Sequence, residues 1–274
     1  MLFYLTSQPL WFSGTVLVGL TTLLAMLGPY LVRRHVELEK LTTNNEIAGF
    51  KFATVGVLYA VLLAFATIVV WQKFSDSETT VAQEAGAAET IYQLSYGVGD
   101  KPGAVLRDAL SNYLSAAIAV DWPAMDRGAI EATRPVRQAL DGVYAALLAI
   151  KSSERTNVPL ISEILHQLDV ITQARRVRLV ASEGTVPGVV WMVLFGGAVL
   201  TIVFTFFFGT RSLRAQTMMT AMLSILIFSE LLTIVAIDRP FSGTVKVGPH
   251  ALADVLADFK STAGAAPAPS GQNR

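Results

Sequence analysis

Four stretches of this chain are almost empty of charge, and they limit what it can fold into. Residues 1–32, 52–72 and 186–210 contain no Asp, Glu, Lys or Arg, and residues 215–237 contain only Glu230. The whole chain is 15% charged with a mean hydropathy of +0.51, where an ordinary soluble domain carries roughly 25% charged residues. A water-soluble protein of 274 residues cannot hide four such segments. A helix crossing a ~30 Å hydrocarbon layer needs about 20 apolar residues, and each stretch supplies them. Spans are expected over roughly 12–32, 51–71, 187–209 and 217–237. Trp11 opens the first, Trp71 ends the second and Trp191 lies near the start of the third, where interfacial aromatic residues belong. No basic residue precedes the first span and no small-x-small site follows it before the arginines, so it is expected to stay as an anchor rather than to be cleaved.

Residues 72–186, between the second and third spans, hold 11 basic and 14 acidic side chains, an ordinary density for water. They lack the alternation of strands and read as helices. The first, 74–97, continues from span two, since no Pro or Gly separates Trp71 from Glu84. The second opens at Pro102 with a stripe through Leu106, Leu110, Tyr113 and Leu114. Asp121, ahead of Trp122 and Pro123, reads as the cap of a third helix with a kink or break at Pro135. The fourth starts near Pro159 and buries Ile164, Leu168 and Ile171. The fold expected is an all-α integral membrane protein. Four transmembrane helices form two hairpins, 1–71 and 187–237, flanking an extramembrane four-helix bundle at 72–186. Residues 238–260 carry a DRPFSG segment and a short amphipathic helix, and the Ala/Pro/Ser/Gly-rich 261–274 is expected to be disordered.

The short loops orient the chain. Arg33, Arg34 and Lys40, with Lys51 beyond them, lie between spans one and two, and Arg211 and Arg214 between spans three and four. Cytoplasmic loops are enriched in such residues. This puts both loops inside the cell, with the termini and the bundle outside a plasma (inner) membrane. Lys73, Arg175, Arg176, Arg178, Arg239 and Lys246 weigh the other way, but residues in long segments count less.

Composition also narrows the function. Lys+Arg and Asp+Glu are both 21, so no basic excess suggests nucleic acid as a partner. Without cysteine there are no disulfides, thiolate metal sites or cysteine nucleophiles. The histidines His35, His166 and His250 sit in separate segments, which suggests no metal site. P-loop, dinucleotide-binding, HExxH and GxSxG patterns are all missing. Neither a cofactor nor an enzymatic activity is expected.

Four features remain as candidates. Glu230 lies inside an apolar run with seven residues to go before Asp238. An ionisable group at such a depth costs about 2.5–3.5 kcal/mol and usually faces a bundle interior or water. It reads either as an ion- or proton-path residue or as a glutamate joining helices, to Thr233 or to another span. Along span two, Gly49, Ala53, Gly56, Ala60, Ala64 and Thr67 follow at spacings of three and four. This seam of small residues serves either close helix packing or the wall of a pore in a ring of subunits. The cluster Arg175, Arg176 and Arg178 reads as a solvated or lipid-phosphate-binding face, or as a vestibule that attracts anions. At the end of span four Arg239 suits a helix C-terminus and Asp238 does not, so Asp238 is expected to have a specific partner.

The blocks NNEIAGFKFATVGVLYAVLLAFATIVVW at 44–71, RRVRL at 175–179, Pro187 with Trp191, and DRPFSG at 238–243 together resemble the bestrophin-like family of bacterial, archaeal and plant membrane proteins. The resemblance covers roughly residues 10–260. Asn44 departs from the family pattern, in which histidine is expected. The resemblance implies kinship to bestrophins, pentameric anion channels with four membrane helices and a pore lined by the second. It also implies cytoplasmic termini and a cytoplasmic helical domain, opposite to the orientation read from the loop charges. No calcium-clasp residues carry over. The expected partners are the lipid bilayer, further copies of the chain as a homo-oligomer, and inorganic ions. The alternative function is a membrane sensor or accessory protein, acting through the bundle and a separate partner because both short loops are too small for an output module.

Overall fold

The computed structural model describes residues 10–43, 45–150 and 158–265; Asn44 and the last part of the tail, 266–274, lie outside them. In chain order the helices are α1 (Leu10–His35), α2 (Leu38–Thr43), α3 (Asn45–Leu94), α4 (Asp100–Ala116), α5 (Trp122–Asp126), α6 (Arg134–Leu148), α7 (Val158–Ala181), α8 (Gly188–Thr205), α9 (Leu213–Ile237) and α10 (His250–Ala265). No strand occurs among the described residues. The helices sort into two compact units, one from the residues up to Phe74 with Gly184–Lys246, the other from Ser75–Glu183 with the residues from Val247 onward.

The first unit holds the four membrane spans, α1, the first part of α3, α8 and α9, each long and apolar enough to cross a bilayer. Its centre is α9, which packs against α1 and α8. Of the most apolar window of α9, 44% is buried within the chain, against 17% for α3. Between α1 and α9 the hydroxyls of Thr22 and Ser224 meet at 3.3 Å in a buried contact. The two short connections are tied to each other. Arg33 donates to the Thr210 carbonyl and, at 3.4 Å, to Gln216, while the Asn45 amide donates to Gly209 O at 2.7 Å and accepts from Gly209 N at 3.0 Å. Both loops therefore lie on one side of the four spans. The first part of α3 touches α8 through Tyr59, whose hydroxyl donates to Leu194 O at 2.8 Å. A Cβ at Gly197 would stand 2.5 Å from the Tyr59 ring, so glycine there allows the close approach of the two helices.

In the second unit the apolar stripes turn inward. Leu106, Leu110, Tyr113 and Leu114 of α4, Val136, Leu140, Val143 and Leu147 of α6, and Ile164, Leu168 and Ile171 of α7 are all buried. From α10, Phe259 stacks on Tyr92 at 3.8 Å between ring centroids.

Several local expectations are corrected. The helix expected from Pro102 opens at Asp100, and Pro102 falls in its first turn. Pro135 neither kinks nor breaks a helix, because it is the second residue of α6; in a first turn the missing N–H of proline has no intrahelical acceptor to lose. Asp121 is no cap: the chain stays helical through a π-helical turn, Ala117–Asp121, into α5, and the carboxylate is spent elsewhere. Residues 261–265, read as the start of a disordered tail, belong to α10.

Candidate functional site

The middle of the seam of small residues on α3 is little used for packing inside the chain, while Thr67 at its end meets Glu230 of α9. Ala53, Ala60 and Ala64 are exposed, and Gly49, Gly56 and Thr67 are half-buried. A Cβ at Gly56 would have no heavy atom within 4 Å. The packed side of α3 in this unit is a neighbouring stripe, Tyr59, Leu63 and Val70. Its far side carries Val57, Leu58, Val61, Phe65, Ile68 and Val69, all exposed as lipid-facing groups would be. The small residues lie between these two stripes.

Glu230, half-buried on α9, has its partner on another span. Thr67 lies 2.7 Å from Glu230 Oε1 and 2.9 Å from the Leu63 carbonyl. A hydroxyl carries one proton and two lone pairs, so Thr67 can serve the ionised carboxylate as donor or the neutral acid as acceptor. Thr233 is not the partner: it donates within its own helix to Ser229 O at 3.1 Å. Thr67 is also the last residue of the seam, so the one charge in the four apolar stretches borders the unpacked face of α3.

The basic cluster is corrected. Arg176 is exposed, but Arg175 and Arg178 are buried and cannot form a solvated, lipid-binding or anion-attracting face. Arg178 makes a two-pronged pair with Glu84, Nε to Oε2 at 2.9 Å and Nη2 to Oε1 at 3.0 Å, and reaches Asp121 at 3.2 Å. Arg175 pairs with Asp121 through Nε at 2.9 Å and Nη2 at 3.2 Å, and donates to Thr133 O. The Tyr113 hydroxyl donates to Glu84 at 2.6 Å, and the Arg178 guanidinium lies 4.2 Å from the centroid of the Trp122 ring. Two carboxylates thus neutralise two guanidiniums. Burial works against the Arg178 charge, but Glu84 beside it holds the guanidinium above its ordinary pKa. Burial first, and then the Glu84 charge, pushes the Tyr113 hydroxyl well above its own. Glu84, Asp121, Tyr113 and Trp122 were not among the candidates, although their stripes held a signal. Arg175 and Arg178 continue the apolar stripe Ile164, Leu168 and Ile171 at spacings of four and three, and Glu84 interrupts the stripe Val81, Ala88 and Ile91. A charge on a buried stripe demands a buried partner.

Asp238, just past α9, accepts at Oδ1 from the backbone N–H groups of Thr185 at 3.0 Å and Val186 at 2.9 Å, so the end of span four caps the approach to span three. Gly184 turns the chain there with φ +96, and a Cβ on it would stand 3.2 Å from Asp238 Oδ2. Burial raises the Asp238 carboxyl above its ordinary 3.8, outweighing the two N–H bonds and Arg239, which lower it. Asp238→Ala leaves two N–H groups without their acceptor and is expected to cost about 1–3 kcal/mol, whereas Asp238→Asn keeps Oδ1 and most of the stability. Because the folded pKa is the higher one, the stability of the wild type relative to Asp238→Asn is greatest below the ordinary 3.8 and declines as the pH rises through the folded value. Melting temperatures in detergent across the acid range check this; a difference that does not change with pH would refute it.

Fold and site together define a multi-pass, all-α membrane protein with four spans and a second helical unit of ordinary charge. Comparison with known proteins narrows the class. The model of the Bestrophin-like domain matches residues 19–252. The chain belongs to the bestrophin-like family. Three crystal structures of a bacterial bestrophin homologue from Klebsiella pneumoniae share the fold. One, a single-residue variant, has a TM-score of 0.71 at 12% identity over 90% of this chain and 98% of that one. A second variant gives 0.68 at 13% over 93% and 99%, and a structure phased with zinc gives 0.68 at 12% over 90% and 98%. Comparison with curated protein sequences gives no match.

Proposed function

We propose that this chain is the subunit of a homo-oligomeric ion channel of the plasma membrane, in which the α3 face of Gly49, Ala53, Gly56, Ala60, Ala64 and Thr67 forms the wall of the conducting path. The observation that carries this reading is that the middle of a face suited to close packing is left open in its own chain, with Ala53, Ala60 and Ala64 exposed and open space at Gly56. A ring of copies turns such a face toward a common axis, and kinship with bestrophins implies the same role for the second helix. In the proposed orientation Arg33, Arg34, Lys40, Arg211 and Arg214 of the two loops face the cytoplasm, and the second unit and both termini lie outside. The loops' hydrogen bonds to each other support placing them together.

The test is the mass of the purified protein in nanodiscs, expected to be a defined ring larger than a dimer, together with currents in planar bilayers. Reporter domains fused after Arg274 and inserted near Gly99 are expected to report the outer side. A protein that is only monomeric would sink the channel reading; reporters in the cytoplasm would reverse the orientation alone.

A further inference from the structure

We propose that the second unit carries a binding site for a small planar organic anion, an aromatic carboxylate or phosphate monoester. It lies in the cleft between the end of α3, α4 and α10, where Arg107 and Lys260 hold the anionic group and Tyr96 takes the ring. The site goes beyond the channel reading and does not depend on it, since every residue that forms it belongs to the unit of ordinary charge.

The cleft holds about 430 Å³, within the range of roughly 300–1,000 Å³ that small-molecule sites occupy. Tyr92, Tyr96, Arg107, Asp108, Phe259 and Lys260 line it. Its guanidinium is built in. Arg107 Nη1 donates to Ser95 Oγ at 3.0 Å, and the buried Ser95 hydroxyl donates in turn to Tyr92 O at 2.6 Å. A Cβ at Gly103 would run into the Ser95 carbonyl and stand 3.2 Å from Arg107 Nη1, so glycine there lets α4 close on that turn and sets the arginine in place. What the site lacks is a counter-charge. Arg175 and Arg178 of the same unit are paired with carboxylates, whereas among the described residues no carboxylate pairs with the half-buried Arg107 or with the exposed Lys260. A guanidinium carries several N–H donors, and Ser95 takes one of them. Asp108 on the rim is exposed and leaves the two cations in excess. The hydroxyls of Ser111 and Thr262 donate within their own helices, so the cations are the donors an anion would find. A charge fixed in a concave site without a carboxylate of its own is placed to meet one from outside. The ring of the ligand follows from what surrounds that charge. The guanidinium lies 4.2 Å from the centroid of the Tyr96 ring, which is 56% exposed, and Tyr92 with Phe259 stacked on it adds an apolar wall. Arginine planes and tyrosine rings both stack on flat partners.

The test is calorimetric titration of the full-length protein, in phosphatidylcholine nanodiscs, with phenyl phosphate and with benzoate. Inorganic phosphate and benzyl alcohol, which each carry half of such a ligand, are the controls. At least one aromatic anion is expected to bind saturably at about 1 mM or tighter, and the better of the two identifies the head group. Both controls are expected to bind at least about tenfold more weakly. Arg107→Gln and Tyr96→Ala are each expected to weaken the binding about tenfold. Lys101→Gln removes an exposed charge of the same unit outside the cleft and is expected to change nothing. Should Arg107→Gln fail to fold, Tyr96→Ala and Lys260→Gln, both at exposed positions, decide. Binding of neither aromatic anion, or binding that survives these substitutions, overturns the site. Inorganic phosphate bound as tightly as phenyl phosphate overturns the planar class. A ring of subunits that conducts but binds neither compound refutes this site alone, and a monomer that binds one refutes the channel alone.

Discussion

Replacing Arg178 with Ala is expected to lower the stability of the protein by about 3–5 kcal/mol, a large part of the roughly 5–15 kcal/mol that separates folded from unfolded chains. The side chain is fully buried, and its removal strips Glu84 of both strong donors, leaving it only the Tyr113 hydroxyl. Asp121 keeps Arg175, so the damage concentrates on one uncompensated carboxylate in a low-dielectric site. It follows that the loss is not the worth of the ion pair. Replacing a whole buried pair with neutral groups of similar volume is often close to neutral, because the desolvation of two charges is removed along with their attraction. The double variant Glu84→Gln/Arg178→Met, in which the amide still accepts from Tyr113, is therefore expected to regain most of what Arg178→Ala loses. Thermal melts in detergent, followed by fluorescence of Trp122 against which Arg178 lies, measure the cycle. Arg178→Met alone keeps the volume and orphans Glu84, so a single Arg178→Met variant as stable as the double would show that packing volume, not an orphaned charge, sets the cost.

Gly56→Phe and Ala60→Phe are expected to abolish single-channel current while leaving the assembled protein intact. Both positions have room: nothing surrounds a Cβ at Gly56, and Ala60 is exposed. Replacing glycine by Phe in a helix interior gains a few tenths of a kcal/mol, and replacing Ala60 costs about as little, so the mass of the assembled variants in nanodiscs separates loss of current from unfolding. In a ring, one such substitution puts an aromatic group into the path from every subunit. Leu58, 68% exposed on the far side of the same helix, supplies the control, and Leu58→Phe should conduct as the wild type does. Wild-type currents from both Gly56→Phe and Ala60→Phe would show that α3 does not line the path.

The spans and the depth of Glu230 could be read from the sequence because both follow from the spacing of charge along one segment. The partner of Glu230 could not, since Thr67 lies 163 positions away and only packing joins them. Arg175, Arg176 and Arg178 show the opposite case. Their closeness in sequence suggested one basic surface, but a helix of 3.6 residues per turn sends the first and third inward and the second out. The period held that answer; the identity of Glu84 and Asp121 as counter-charges required the tertiary fold. Pro135 misled for a local reason, because proline breaks a helix interior and begins a helix equally well, and only the true start of α6 separates the two.

The contact between α1 and α9 also bears on how the protein is made. Thr22 and Ser224 are 202 positions apart, so α1 leaves the ribosome long before its main neighbour α9 emerges. At about 5–20 residues per second that interval is on the order of ten to forty seconds. For that time the N-terminal helix sits in the bilayer with only lipid, or the insertion machinery, against the face that α9 will occupy. A transcript cut short before the fourth span therefore yields three inserted helices without the one that α1 and α8 share, so assembly of the spans is completed only once the fourth has been made rather than hairpin by hairpin.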